Sequence, residues 1–367
     1  MKYSLFTSES VCAGHPDKVC DQISDAVVDA AIGLYPKSRV ACETLVTVNK
    51  IVLAGEVTCP KTIDFEKIAR AKVKELGYTK KELRFDDKSS VEVYIHQQSL
   101  DIALGVDDGG AGDQGMMFGY ACRETDELMP LPITLAHRLC QEMDNLQTKY
   151  TWIRPDGKSE VAVRYENGKP VSVERIVLAK PFDYSQIDNM EAKKVLFEEV
   201  VEPVFEEYKM GLVPIDEVIL NGTGRWEIGG PASDTGVTGR KIVVDTYGGM
   251  ARIGGGCFSG KDTTKVDRSA AYAARFIAKN IVAAGLADRC EVQLAYAIGQ
   301  VEPIARAIET FDTAKRELVA IEEFAWKLLD LSVEGINQGL GLRRPIYQQT
   351  ARYGHFGKLN YPWEKIA

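Results

Sequence analysis

Apolar residues recur at helical spacing in three stretches of this chain, and in each the apolar face is built mainly from small residues. The first runs through Ile23, Val27 and Ala30, with Pro16 and Asp17 at its entrance and Gly33 and Pro36 at its exit. Proline early and glycine late is the helical asymmetry, since proline fits the first turn and glycine the left-handed exit. The second follows Pro130 and Pro132 through Leu135, Leu139 and Met143. The third starts near Asp267, carries Ala270, Ala271, Ala274, Ile277, Ala278 and Ile281, and ends at Gly285. Alanine at successive helical contacts predicts close packing against a sheet or another helix. Residues 64–76 predict an amphipathic helix with Asp64 as N-cap and Gly77 just past its end. Residues 193–207 and 315–329 also have helical character.

Strands are predicted over 40–48, 51–57, 91–95, 161–165, 171–178, 241–245 and 292–299, where residue types alternate or β-branched residues cluster. Strand pairs mixed with helices indicate the α+β class and not a parallel βαβ repeat. A weak threefold repetition is visible, each third holding strands and one small-residue helix. Glycine-rich breaks near 100–112 and 222–230 mark the natural domain boundaries.

Composition narrows the function. The 53 acidic and 45 basic residues leave a net charge of −8, which argues against a general nucleic-acid binder. Eight cysteines, at 12, 20, 42, 59, 122, 140, 257 and 290, include no C-x-x-C pair, so the usual zinc and dithiol readings fall away. The opening Met1-Lys2-Tyr3-Ser4-Leu5-Phe6 turns polar at once, and no apolar run approaches the roughly 20 residues that span a bilayer. These features predict a reduced, cytoplasmic protein without a membrane segment, and place the sequon Asn221-Gly222-Thr223 in a turn.

The chemistry concentrates near glycine. Gly255 to Lys261 satisfies the G-x-x-x-x-G-K part of a phosphate-binding loop, but the next residue is Asp262 where serine or threonine would be needed. Lys261 and Lys265 flank that loop, and Asp267 opens the following helix. Lysines interleaved with aspartates suit polyphosphate with magnesium. A second cluster, Gly14-His15-Pro16-Asp17-Lys18, sets a histidine, a carboxylate and a lysine at a helix start. A third, residues 110–115, presents Asp113 in a tight glycine loop. A fourth joins Asp234 to Arg240-Lys241, a guanidinium fork beside a point charge. The fifth is Arg154-Pro155-Asp156-Gly157-Lys158. Singly, each also fits a bland reading: His15 as a helix cap, 110–115 as a hairpin turn, Arg240-Lys241 as a solvated pair at a strand start. Together, the five fit one magnesium–polyphosphate pocket.

These residues, with 229–285 and the terminal Tyr353-Gly354-His355-Phe356-Gly357 and Pro362-Trp363-Glu364-Lys365, resemble the S-adenosylmethionine synthetase (methionine adenosyltransferase) family over nearly the whole chain. The resemblance implies three similar α+β domains related by pseudo-threefold symmetry, at 1–99, 110–228 and 229–367, with a mobile gate at 99–109. It implies ATP and L-methionine as substrates, two Mg2+ and a K+ per site, and a homotetramer built as a dimer of dimers with shared sites. By resemblance, His15 assists departure of the phosphate chain, and Asp17 and Asp267 hold magnesium. Lys158, Arg240, Lys241 and Lys261 bind phosphates, with Asp156 and Cys257 beside the ATP. Glu56, Gln98, Asp113, Asp234 and Lys265 place methionine and the adenosine part. Glu43 holds potassium, Glu9 lies in the nearby cation network, and Trp226 stacks near adenine. The chain departs from the family pattern at Ala13, Leu100, Trp226 and 178–182, and its gate is short.

Overall fold

The structure is a computed structural model that describes residues 4–97 and 109–367. In chain order its strands and helices begin with β1 (Leu5–Val11), α1 (Pro16–Leu34), β2 (Arg39–Thr47), β3 (Lys50–Thr58), α2 (Phe65–Glu75) and β4 (Ser90–His96). There follow β5 (Gly115–Cys122), α3 (Leu131–Asn145), β6 (Lys158–Glu166), β7 (Lys169–Ala179), α4 (Asn189–Leu196), α5 (Glu202–Glu207) and β8 (Val218–Leu220). The last part holds β9 (Gly236–Val237), α6 (Ile242–Asp245), α7 (Val266–Ala283), β10 (Arg289–Tyr296), β11 (Ala305–Glu309), α8 (Leu318–Ala325) and α9 (Val333–Gly339).

The three small-residue helices form where the pattern predicts them. In α1 the side chain of His15 caps the first turn, Pro16 occupies it, and nearly every residue from Pro16 to Ile32 is buried. Asp64 caps α2 by accepting from the Lys67 N–H at 3.0 Å, and Gly77 follows the helix at φ +89°. Asn221 bends its chain in a turn, its carbonyl accepting from Gly224.

Three sheets result, ordered β4-β3-β2-β9, β1-β6-β7-β8 and β11-β10-β5. Each takes a strand from a distant part of the chain. β1 pairs antiparallel with β6, Leu5 opposite Arg164 and Val11 opposite Lys158. β5 pairs antiparallel with β10, Gly115 opposite Tyr296, and β9 pairs antiparallel with β2, Leu45 opposite Val237. The helix that follows each exchanged strand packs on a two-strand composite: α1 on β2 and β9, α3 on β6 and β1, α7 on β10 and β5. The fold is α+β with three similar units, and the exchange is cyclic, which ties them into one body. Its interior is aromatic where the C-terminal segment threads through. Tyr272 stacks on Trp363 at 3.8 Å and Tyr247 on Phe356 at 5.0 Å, with Phe258 and His355 between.

Two expectations are corrected. Residues 241–245 are not a strand: Ile242–Asp245 is a helical turn, closed by the Asp245 N–H to the Lys241 carbonyl at 2.8 Å. The β-branched run gave a strand pattern, but a turn sets Lys241 and Asp245 on one side, where each meets a charge on α1. The helical stretch predicted at 193–207 starts earlier, at Asn189, and a π-helical turn at Phe197–Val201 interrupts it ahead of Pro203.

Candidate active site

β1 runs out at Val11, and residues 12–15 turn the chain into α1. His15 takes an extended conformation there, and its Nδ1 accepts from the Asp17 N–H at 3.2 Å. The ring is buried. Burial, then the positive charges of Lys241 and Lys158, push its pKa down to about 3 against the pull of Asp17. The imidazole is therefore neutral, and because Nδ1 accepts, its proton sits on Nε2. That leaves one N–H donor to offer an anion.

Asp17 in the first turn of α1 accepts from Lys241 Nζ at 2.5 Å and from the Val237 N–H at 3.0 Å, with Arg240 Nε at 3.7 Å. Burial alone would raise its pKa, but the bonds from Lys241 and Val237 outweigh it and keep Asp17 a carboxylate. The next residue pairs the other way: Lys18 Nζ reaches Asp245 at 2.5 Å and Asp21 at 2.8 Å. The helical turn α6 thus exchanges charges with α1, Lys241 for Asp17 and Asp245 for Lys18. Further along α1, Asp21 accepts from the Gly239 N–H at 2.8 Å. Asp25 accepts from the Gly260 N–H at 2.9 Å and holds Arg268 through both oxygens.

That last contact mounts a second charged group two helical turns, about 12 Å, along the same helix. Lys261 Nζ pairs with Asp267 at 2.7 Å, and Lys265 Nζ with Asp262 at 2.5 Å. Burial would lower the Lys261 pKa, but Cys257 and Asp267 hold it up, with a smaller contribution from Asp113. The loop is no nucleotide P-loop. Buried Asp262 accepts from the Val40 N–H at 2.7 Å and from Thr264, stapling the loop to β2. Its glycines serve close packing: a Cβ on Gly256 would fall 2.0 Å from the Asp267 carboxyl carbon, and one on Gly260, at φ +83°, 2.0 Å from the Cys42 carbonyl.

The remaining predicted residues fall around these two groups. Asp156 is buried, accepts from the Gly230 N–H at 2.6 Å and the Gly157 N–H at 2.7 Å, and burial lifts its pKa to about 6. Lys158 is exposed at the start of β6, opposite Val11. Cys257 is half-buried against Gly239, and burial pushes its thiol up. Asp234 and Asp113 are exposed. Trp226 is half-buried, its indole N–H donating to the Ile228 carbonyl at 3.1 Å. Ala41 of β2 bridges to Lys261 on one side and pairs with Glu56 on the other, so β2 separates Glu56 from the second group, and Glu56 contacts His96 at 3.1 Å. Glu43 is exposed two residues further along β2. Glu9 is exposed on β1 opposite Glu160, a like-charge pairing that a cation would relieve. Gln98 and the gate, apart from Gly109, lie outside the described residues.

Among the described residues no three His, Cys, Asp or Glu side chains gather as a metal cage. A carboxylate beside cations, as Asp17 and Asp267 are, is instead compatible with magnesium, which is held by one or two carboxylates and completed by substrate phosphates and water. Sequence reading missed the supports. The pattern places Asp245 at a strand end and gives no role to Asp21, Asp25, Asp144 or Arg268, nor to Lys180 beyond its place in the divergent segment 178–182. Lys180 is fully buried, with Nζ 3.1 Å from Asp144, which also accepts from the Ala13 N–H at 2.7 Å. Their one sequence signal was charge inside an apolar helix, such as Asp21, Asp25 and Asp29 at four-residue spacing in α1.

Comparison with known proteins gives one answer. Three family models match consecutive parts of the chain: the N-terminal domain of S-adenosylmethionine synthetase over residues 3–100, its central domain over 108–226 and its C-terminal domain over 228–365. An S-adenosylmethionine synthase from Desulforudis audaxviator (strain MP104C) is 50% identical over 386 aligned positions, covering 100% of this chain and 97% of the relative.

Proposed function

The chain belongs to the S-adenosylmethionine synthetase family and is a transferase that forms S-adenosylmethionine; from that premise we propose how its residues do so. The methionine sulfur attacks the 5′ carbon of ATP in line, and tripolyphosphate leaves intact. The enzyme then hydrolyses it to phosphate and pyrophosphate. A thioether needs no base, so the work is to align sulfur, carbon and leaving oxygen and to neutralise the departing chain.

One observation carries this reading: His15 at the start of α1, its Nδ1 turned to the Asp17 N–H so that Nε2 is free to donate, beside Asp17 and the Lys241–Arg240 pair. His15 donates its proton to an oxygen of the phosphate chain as a hydrogen bond and remains neutral. Lys158, Arg240, Lys241 and Lys261 bind phosphates, with Asp156 and Cys257 beside them, and Trp226 stacks near adenine. Glu56, Gln98, Asp113, Asp234 and Lys265 place methionine and the adenosine part. Asp17 and Asp267 hold two magnesium ions, and Glu43 a potassium ion with Glu9 nearby; these ions, when bound, offset the polyphosphate charge. One charged group stands at the start of α1 and the other docks on Asp25 of the same helix, yet each is closed by its own counter-ions, which favours a site completed by a second chain. The assembly that follows is a homotetramer of two dimers. No helix among the described residues is long and apolar enough to cross a membrane, which accords with a cytoplasmic location. Domains at 1–99, 110–228 and 229–367, with a gate at 99–109, complete the proposal.

Incubation with ATP, methionine, Mg2+ and K+ tests the reaction: the sulfonium product and tripolyphosphate-derived phosphates are expected. A phosphorylated acceptor without S-adenosylmethionine would indicate an ordinary phosphotransferase. Light scattering tests the assembly, and an active monomer would refute shared sites.

A further inference from the structure

Tyr78 takes no part in the chemistry above. It follows Gly77 at the exit of α2, is 1% exposed, and stands edge-on to Phe85 with ring centroids 5.3 Å apart. Its hydroxyl donates to the carbonyl of Gly14, the residue before His15, at 2.5 Å. Gly230 packs on the same hydroxyl at φ +69°, so closely that a Cβ there would lie 2.2 Å from it. Gly230 opens the segment that leads to Asp234, Arg240 and Lys241.

The ring of contacts closes on the other side. The Gly230 N–H is held by Asp156, and Gly14 rests on Pro155, where a Cβ would come 2.5 Å from the carbonyl oxygen. Tyr78, Gly14, Pro155, Asp156 and Gly230 thus form a closed circuit beneath the loops that carry His15 and the basic pair. Tyr78 is the member that touches both loops with one polar atom.

We propose that Tyr78 is a positioning residue for adenosyl transfer, its hydroxyl fixing the spacing between the His15 loop and the Gly230 loop. The proposal rests on the reaction given above. Losing the hydroxyl strands a buried carbonyl and frees both loops to shift. A misplacement of about 1 Å costs up to about 100-fold in rate when alignment carries the catalysis. The loss falls on kcat, because His15 acts at the bond that breaks.

The test compares Tyr78→Phe with Phe85→Leu, which loosens the ring packing but leaves the hydroxyl. Tyr78→Phe is expected to lower kcat about tenfold, with KM for methionine within about twofold and the urea midpoint nearly unchanged. Phe85→Leu is expected to lower the midpoint and keep kcat within about twofold. Should Tyr78→Phe not fold, Gly230→Ala presses on the same hydroxyl from the other loop; it should lower kcat likewise, though with a lower midpoint from its strained backbone, and a normal kcat there would overturn the proposal. A normal kcat for Tyr78→Phe overturns the proposal, as does a Phe85→Leu enzyme whose kcat falls in step with its midpoint. A wild-type enzyme that forms no S-adenosylmethionine refutes the reaction itself, which is a separate result.

Discussion

The two charged groups differ in how their charges are held. Around His15, beside the local pair Lys18 to Asp21, two pairs span a long loop of chain, Asp17 to Lys241 and Lys18 to Asp245, with the carboxylates almost wholly buried. In the glycine loop the pairs are local: Lys265 to Asp262 is as buried as Lys241 to Asp17, and Lys261 to Asp267 is the more open pair. A buried pair is rigid and costly to break, whereas a half-exposed one can trade its partner for a ligand at little cost. Lys261–Asp267 is therefore expected to open most readily, and the long-range pairs around His15 to be the costlier to break.

The strongest way to break that contrast is Asp17→Ala. It strands Lys241 beside the neutral His15, so turnover should fall by at least about 100-fold and stability by about 3 kcal/mol, read from initial rates and urea unfolding. Asp267→Ala should cost as much turnover but less than about 1 kcal/mol, since Lys261 can turn to water. Equal stability losses would erase the distinction. Lys261→Ala should likewise abolish turnover with the fold intact.

Gly230→Ala tests the frame from behind. With φ +69° and the Tyr78 hydroxyl in the way, alanine there should cost roughly 1–3 kcal/mol in strain and lower kcat, measured together by calorimetry and assay.

The smallest effect is one of pH. His137 bonds Ser10 of β1 through Nδ1 at 2.7 Å, and burial pushes its pKa down to about 3. A histidine held neutral contributes its full stability above pH 6.5 and loses it as the unfolded chain takes up a proton below that value. Between pH 7 and pH 5 wild type should therefore lose about 2 kcal/mol that a His137→Asn variant does not. The gap between the two proteins should narrow by that amount on acidification, and a constant gap would place His137 in water.

Much of this was legible in the residues. Helices α1, α3 and α7 follow from small apolar residues at helical spacing, and Asp64 and Gly77 frame α2 as their chemistry predicts. β1 and β5 were not. Leu5–Val11 is half polar and Gly115–Cys122 holds two glycines, so neither has a strand pattern of its own. They are strands because β6 and β10 supply partners, and pairing between distant segments leaves no local trace. The same holds for Ile242–Asp245, whose β-branched run is overruled by two ion pairs with α1.

By itself, the sequence determined the α+β class, the three small-residue helices and the family. Only the tertiary structure decided which charge faces which. It closed Asp17 on Lys241 and Lys18 on Asp245, made Asp262 a staple to β2, and set Tyr78 beneath two loops. Helical periodicity is written into neighbouring residues, whereas a buried ion pair depends on which distant segment the packed core brings within about 3 Å, the reach of a hydrogen bond.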